Sequence, residues 1–143
     1  MRYKIPIEIV ELESENFHLI IKSVFADEAK GNWVIDTGAS KTVFDKNLAD
    51  YCLISEDEAE ELHSAGISDE PMTTSLGCVK PFSFGKLEVE NMKVALLDMA
   101  HINELYSKAT NVQICGLLGS DFLLKYKATI DYKRKRLSLS EKS

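Results

Sequence analysis

The chain has 143 residues, 45% of them hydrophobic, with a formal charge of -6 and a pI near 5.1. That size supports one domain spanning residues 1–143, with a core of its own and no linker. The acidity argues against a general binder of nucleic acid or membrane surfaces, since polyanions are repelled at long range, and no stretch approaches the roughly 18 consecutive apolar residues of a membrane helix. Peptides or small molecules remain as the expected partners.

Residues 4–12 alternate Ile5, Ile7 and Ile9 with Pro6, Glu8 and Val10, a period-2 strand that Pro6 confines to an edge or a strand start. Glu13-Ser14-Glu15-Asn16 is turn chemistry and residues 17–25 resume as a β-rich strand, so the two should form a hairpin. A polar connection over residues 26–31 leads to Asn32-Trp33-Val34-Ile35, a strand ending at Asp36, and Thr42-Val43-Phe44 follows as a short extended piece. Residues 45–63 hold the densest acidic run, Glu56-Asp57-Glu58-Ala59-Glu60-Glu61, which reads as a solvated helix face or loop. Residues 64–75 are poor in apolar side chains and rich in turn formers, as in an exposed hairpin or mobile loop.

Residues 76–84 and 87–97 read as two β segments joined in a hairpin at Gly85-Lys86. Residues 98–109, with Ile102, Leu105 and Ala109 about one turn apart, read as a short helix or an ordered loop. An apolar strand over residues 112–118 meets Gly119, and a helix then starts that Ser120 can cap and Asp121 can favour through the helix dipole. Residues 128–132 and 137–139 are strands joined by Lys133-Arg134-Lys135-Arg136. In an acidic chain, at a hairpin position, that basic tetrapeptide reads as a solvated turn and not as a nucleic-acid contact. The sum is mainly β with one short C-terminal helix, and a closed or nearly closed barrel is the natural way to bury such strands and remove their edges.

Cys52, Cys78 and Cys115 are odd in number, widely spaced and without a CxxC pair, which reads as free thiols in a reducing compartment. The N-terminus shows no apolar core followed by a small-residue cleavage site, so a cytoplasmic protein is expected. No HExxH, EF-hand loop, Walker A or GxGxxG occurs, and no metal or other cofactor is expected.

Chemistry concentrates where Trp33-Val34-Ile35 carries Asp36 into the turn Thr37-Gly38. A carboxylate at the end of a buried strand needs hydrogen bonds from the turn or a second acid sharing its proton. The plainest reading is a turn-capping aspartate. The segment Trp33-Val34-Ile35-Asp36-Thr37-Gly38-Ala39-Ser40-Lys41-Thr42-Val43-Phe44, followed about eighty residues later by Ile114-Cys115-Gly116-Leu117-Leu118-Gly119-Ser120-Asp121-Phe122-Leu123, resembles the retropepsin-like aspartic proteases.

The resemblance implies an acid-protease β-barrel and an aspartic endopeptidase. Peptide hydrolysis without metal or covalent nucleophile needs a base for water and an acid for the carbonyl oxygen, and two carboxylates about 3 Å apart that share one proton supply both. The chain holds one Asp-Thr-Gly, so the resemblance implies a homodimer with Asp36 facing Asp36 of its mate. It further implies that Thr37 bonds across the dimer axis, that Gly38 lets the backbone approach the carboxylates, that Ala39 packs in the loop and that Ser40 meets the substrate backbone. Ala65, Gly66, Ile67 and Ser68 would belong to a flap over the peptide. Ser40 and Ser120 are both serine where many retroviral members pair an acid with an arginine. A catalytically silent peptide-binding or dimerisation module of the same fold is the alternative.

Overall fold

The computed structural model describes residues 1–62 and 72–141. Among these the strands are β1 (Arg2–Pro6), β2 (Glu8–Glu13), β3 (Asn16–Phe25), β4 (Lys30–Ile35), β5 (Val43–Asp45), β6 (Cys52–Leu62), β7 (Met72–Val79), β8 (Phe82–Phe84), β9 (Leu87–Val89), β10 (Met92–Leu97), β11 (Ile114–Leu118), β12 (Thr129–Asp131) and β13 (Arg136–Ser140). Helix α1 (Ala100–Ala109) lies between β10 and β11, and α2 (Ser120–Lys125) follows β11. No helix among the described residues is long and apolar enough to cross a membrane.

Several expected segments divide. The strand expected over residues 4–12 breaks at Ile7: β1 joins β13 and β12 in a small sheet, whereas β2 pairs with β3. The segments on either side of Gly85-Lys86 each break once. Pro81, without an N–H to offer a ladder, separates β7 from β8, and Asn91, at φ 57°, turns the chain between β9 and β10. The β8–β9 hairpin stands, with Gly85 at φ 58° in its turn. Residues 98–109 take the helical alternative, as α1.

The acidic run is a correction. It lies on β6, paired with β7 out to Leu62 opposite Met72, and not on a helix face or loop. Charge density marks solvation but carries no period, so it could not separate a helix from a strand. Residues 64–68, with the expected flap positions Ala65, Gly66, Ile67 and Ser68, lie outside the described residues.

The large sheet runs β6-β7-β10-β5-β11-β4-β3-β8-β9, with β2 also on β3. Its end strands β6 and β9 share no ladder among the described residues, so the mainly β expectation holds while closure of the curl by hydrogen bonds is not seen.

Alternate residues of the middle strands enter two different cores. Leu19, Ile21, Trp33, Ile35, Phe44, Val94, Leu96, Cys115 and Leu118 pack in one, while Ile20, Val34, Val43, Ala95 and Ile114 pack with Tyr106 of α1 in the other. Period-2 geometry therefore explains why these strands read as apolar runs: both faces are covered. Trp33 anchors the first core. It stacks on Phe82 at 5.4 Å and 16°, and its Nε1–H donates to Ser23 Oγ at 2.8 Å. Its ring leaves no room for a side chain at position 116: a methyl on Gly116 would sit 2.6 Å from the indole and 2.5 Å from the Val43 carbonyl.

Candidate active site

β11 is inserted between β4 and β5, parallel to the first and antiparallel to the second. The parallel pair ends together, with Leu118 beside Ile35, so the chain leaves both strands at one edge. One exit is the Asp36 turn and the other is the start of α2. Asp36 N–H donates to Leu118 O at 2.9 Å, which continues the pairing into the turn. Within the turn, Gly38 N–H donates to Asp36 Oδ1 at 3.1 Å and Ala39 N–H to Asp36 O at 3.1 Å. Asp36 is half-buried, while Thr37, Gly38 and Ser40 are exposed and Ala39 is half-buried. The expected turn hydrogen bond to the carboxylate is therefore present.

Behind the turn, the start of α2 holds the chain. Ser120 N–H donates to Ala39 O at 2.7 Å, and Ser120 Oγ makes a long contact of 3.5 Å with Ser40 O. Asp121 contributes most. Its Oδ1 accepts Thr42 N–H at 2.9 Å, Thr42 Oγ1–H at 2.7 Å and Phe122 N–H at 2.8 Å, and Thr42 Oγ1 in turn accepts Gly119 N–H at 3.1 Å. Gly119 lies so close to the loop that a methyl there would meet Lys41 C at 2.7 Å and Ala39 O at 2.8 Å. The expected capping role of Ser120 is not found. Gly119 is the N-cap residue, with no side-chain cap bond, and Ser120 serves the loop.

The Asp36 carboxylate opens on a pocket of about 410 Å³. Val34 and Leu117 line it from the strands, Leu12, Phe17 and His18 from the β2–β3 hairpin, and Ile102, Leu105 and Tyr106 from α1. Asp36 is its one carboxylate among the described residues. His18 and Tyr106 meet edge to face at 5.6 Å. The Tyr106 hydroxyl is buried without a partner among the described residues, and burial pushes its pKa up to about 12. The sequence alone does not tie these α1 and hairpin residues to the site. The apolar spacing of Ile102 and Leu105 was visible, but nothing local tied it to Asp36. Gly38 is not required by packing among the described residues, where a methyl would meet only Asp36 Oδ1 at 3.5 Å.

A family model described as "Aspartyl protease" matches residues 23–122, which include both the Asp36 turn and the start of α2. The chain belongs to the aspartyl protease family. The aspartyl protease fold is also that of the crystal structure of a retropepsin-like aspartic protease from Rickettsia conorii. That structure aligns with a TM-score of 0.54 over 97% of this chain and 90% of its own, at 18% identity. No curated protein matches the sequence. The fold of this aspartyl protease chain is retropepsin-like, and its Asp36-Thr37-Gly38 turn stands at the paired ends of β4 and β11.

Proposed function

We propose that the chain is an aspartic endopeptidase whose active site is completed by a second copy of itself, with the two Asp36 carboxylates sharing one proton. The observation that carries this is the Asp36 carboxylate, held in a braced turn, on a largely apolar pocket wall that offers no second carboxylate among the described residues. One ionised Asp36 takes a proton from water as the oxygen attacks the peptide carbonyl, and the protonated Asp36 of the mate gives its proton to the carbonyl oxygen. Collapse of the tetrahedral intermediate breaks the C–N bond and delivers a proton to the leaving nitrogen. Thr37 supports the pair across the twofold axis, and Gly38 leaves room there for mate and substrate. Ser40 meets the peptide backbone, with Ala39 packed beside it in the loop.

The test is a cleavage-site profile on a peptide library across acid to neutral pH, with wild type beside Asp36→Asn. Cleavage by wild type alone is expected, with both proteins sedimenting as dimers. Undiminished cleavage by Asp36→Asn, or a monomer at every reachable concentration, refutes the proposal. Peptide binding without cleavage assigns the chain to the silent module instead.

A further inference from the structure

We infer that a second cavity, bounded by Lys41 and Thr42 of the loop and by α2, is a binding site for inorganic phosphate, attracted by three lysines and selected by the Asp121 carboxylate. The cavity measures about 300 Å³ and shares no lining residue with the pocket that Asp36 lines, so the site does not depend on the proteolytic reading. Cations gather here against the balance of a chain with 17 Lys and Arg to 23 Asp and Glu. Lys41 comes from the loop, Lys93 from β10 and Lys125 from the last turn of α2. Lys41 is half-buried, and the other two are exposed. Lys125 Nζ stands 5.5 Å from the centroid of the Tyr126 ring, which itself lines the cavity, so a cation–π contact keeps that charge at the wall. The ion pairs among the described residues, Lys22 with Glu8 and Arg134 with Asp131, lie elsewhere. The three ammonium groups are thus left to a ligand.

Lysine binds phosphate as a point charge, and walls of low dielectric strengthen the attraction of several such charges for one anion. Val89, Met92, Phe122 and Tyr126 are buried and supply those walls. The one carboxylate lining the cavity among the described residues is Asp121. Its Oδ1 is occupied by Thr42 and Phe122, while Oδ2 has no hydrogen-bond partner among the described residues. A carboxylate oxygen repels a bare oxyanion but accepts a hydrogen bond from a protonated one. Inorganic phosphate keeps at least one O–H at neutral pH, whereas sulfate has none. A phosphate monoester has mostly lost its own, since its second pKa is about 6. Three lysines beside one free acceptor oxygen therefore favour the free phosphate ion over both.

Isothermal titration of the full chain with sodium phosphate at neutral pH, beside sodium sulfate and phenyl phosphate at matched ionic strength, is the test. Phosphate should bind with a Kd of about 1 mM or tighter, and about tenfold more tightly than either competitor. The thermal midpoint should rise more with phosphate than with sulfate. Lys93→Met and Lys125→Met, both at exposed positions, should each weaken phosphate binding about fivefold, whereas Lys108→Met, on α1 and outside the cavity, should not. Asp121→Asn keeps an acceptor for Thr42 and replaces the second oxygen by an amide donor, so it should lose the preference for phosphate over sulfate. The absence of saturable phosphate binding, equal affinity of wild type for sulfate, or tighter binding of phenyl phosphate would each overturn the inference. So would phosphate binding unchanged in both lysine variants. None of these measurements passes through peptide cleavage, so the phosphate site and the protease stand or fall separately.

Discussion

Asp121 joins the two segments that define the site, and truncating it tests that reading directly. In Asp121→Ala, Thr42 N–H loses its acceptor while Thr42 itself is fully buried, and a buried unpaired N–H costs about 1–3 kcal/mol. Phe122 N–H, also bonded to Oδ1, lies in the first turn of α2, where water can replace part of the loss. The Thr42 hydroxyl still accepts Gly119 N–H but no longer has a fixed direction in which to donate. Together these give a loss of about 3 kcal/mol, with little added for the charge because Asp121 is partly exposed. Asp121→Asn keeps an acceptor in place and should cost about 1 kcal/mol or less. Urea unfolding measures both, as shifts in midpoint at constant m. At temperatures where both variants are folded, peptide cleavage should fall further in Asp121→Ala than in Asp121→Asn, since the loop it steadies carries Asp36. An Asp121→Ala protein within about 0.5 kcal/mol of wild type would refute the bracing argument. So would an Asn variant as unstable as the Ala variant, which would make charge and not acceptor geometry the cause.

Gly116→Ala should lower stability by about 3 kcal/mol or more in thermal unfolding, because its methyl would collide with the Val43 carbonyl as well as with Trp33, and backbone yields less than a side chain. Gly38→Ala should unfold like wild type, its methyl having space, so any loss of cleavage would reflect the mate or the substrate. Tyr106→Phe removes a buried hydroxyl that has no partner among the described residues and should leave stability unchanged or raise it by about 1 kcal/mol; a loss of that size in urea unfolding would reveal a bond partner. Asp27 is held below the ordinary carboxylate range, first by the Tyr51 hydroxyl at 2.7 Å and then by the Ala29 N–H. A lowered native pKa stabilises the fold above the unfolded pKa, and the gain is lost as pH falls through the native one. Tyr51→Phe should therefore be less stable at neutral pH and show a flatter decline into acid, and an unchanged pH dependence would count against the pairing.

What the sequence disclosed was local. Trp33-Val34-Ile35-Asp36-Thr37-Gly38 states its strand and its turn within six residues, and the apolar run from Ile114 to Leu118 states the second strand in the same way. The pairing of these strands could be expected only from resemblance, and their physical link spans 79 residues from Asp121 to Thr42. Ser120 and Asp121 looked like a cap and a dipole partner because helix N-termini are read from neighbours in sequence, whereas here the neighbour in space is another loop. The sequence of α1 admits both helix and loop for a related reason. Tyr106 alone is buried within it, while Ile102 and Leu105 line the pocket, so its sequence shows no full apolar stripe.

The bracing is also one-sided, and that asymmetry bears on mechanism. Leu118 O, Ser120 N–H and the Asp121 carboxylate all hold the loop from the side of β11 and α2. On the other side Thr37 and Gly38 are exposed, and a methyl at Gly38 would find open space beyond its own aspartate. A turn-capping aspartate would need only the Gly38 N–H that it already accepts. It gives no reason for a bond of 2.7 Å from Ser120 to Ala39, for a glycine at 119 pressed against the loop backbone, or for an apolar pocket ending at the carboxylate. Under the proposed mechanism the two Asp36 carboxylates must be placed to within a fraction of an ångström, and each must be rigid before they meet, because neither can be positioned by the other without strain. A loop fixed from behind and bare in front meets that requirement. On the proposed reading the chain by itself lacks the second acid, since Asp36 is the one carboxylate of its pocket among the described residues.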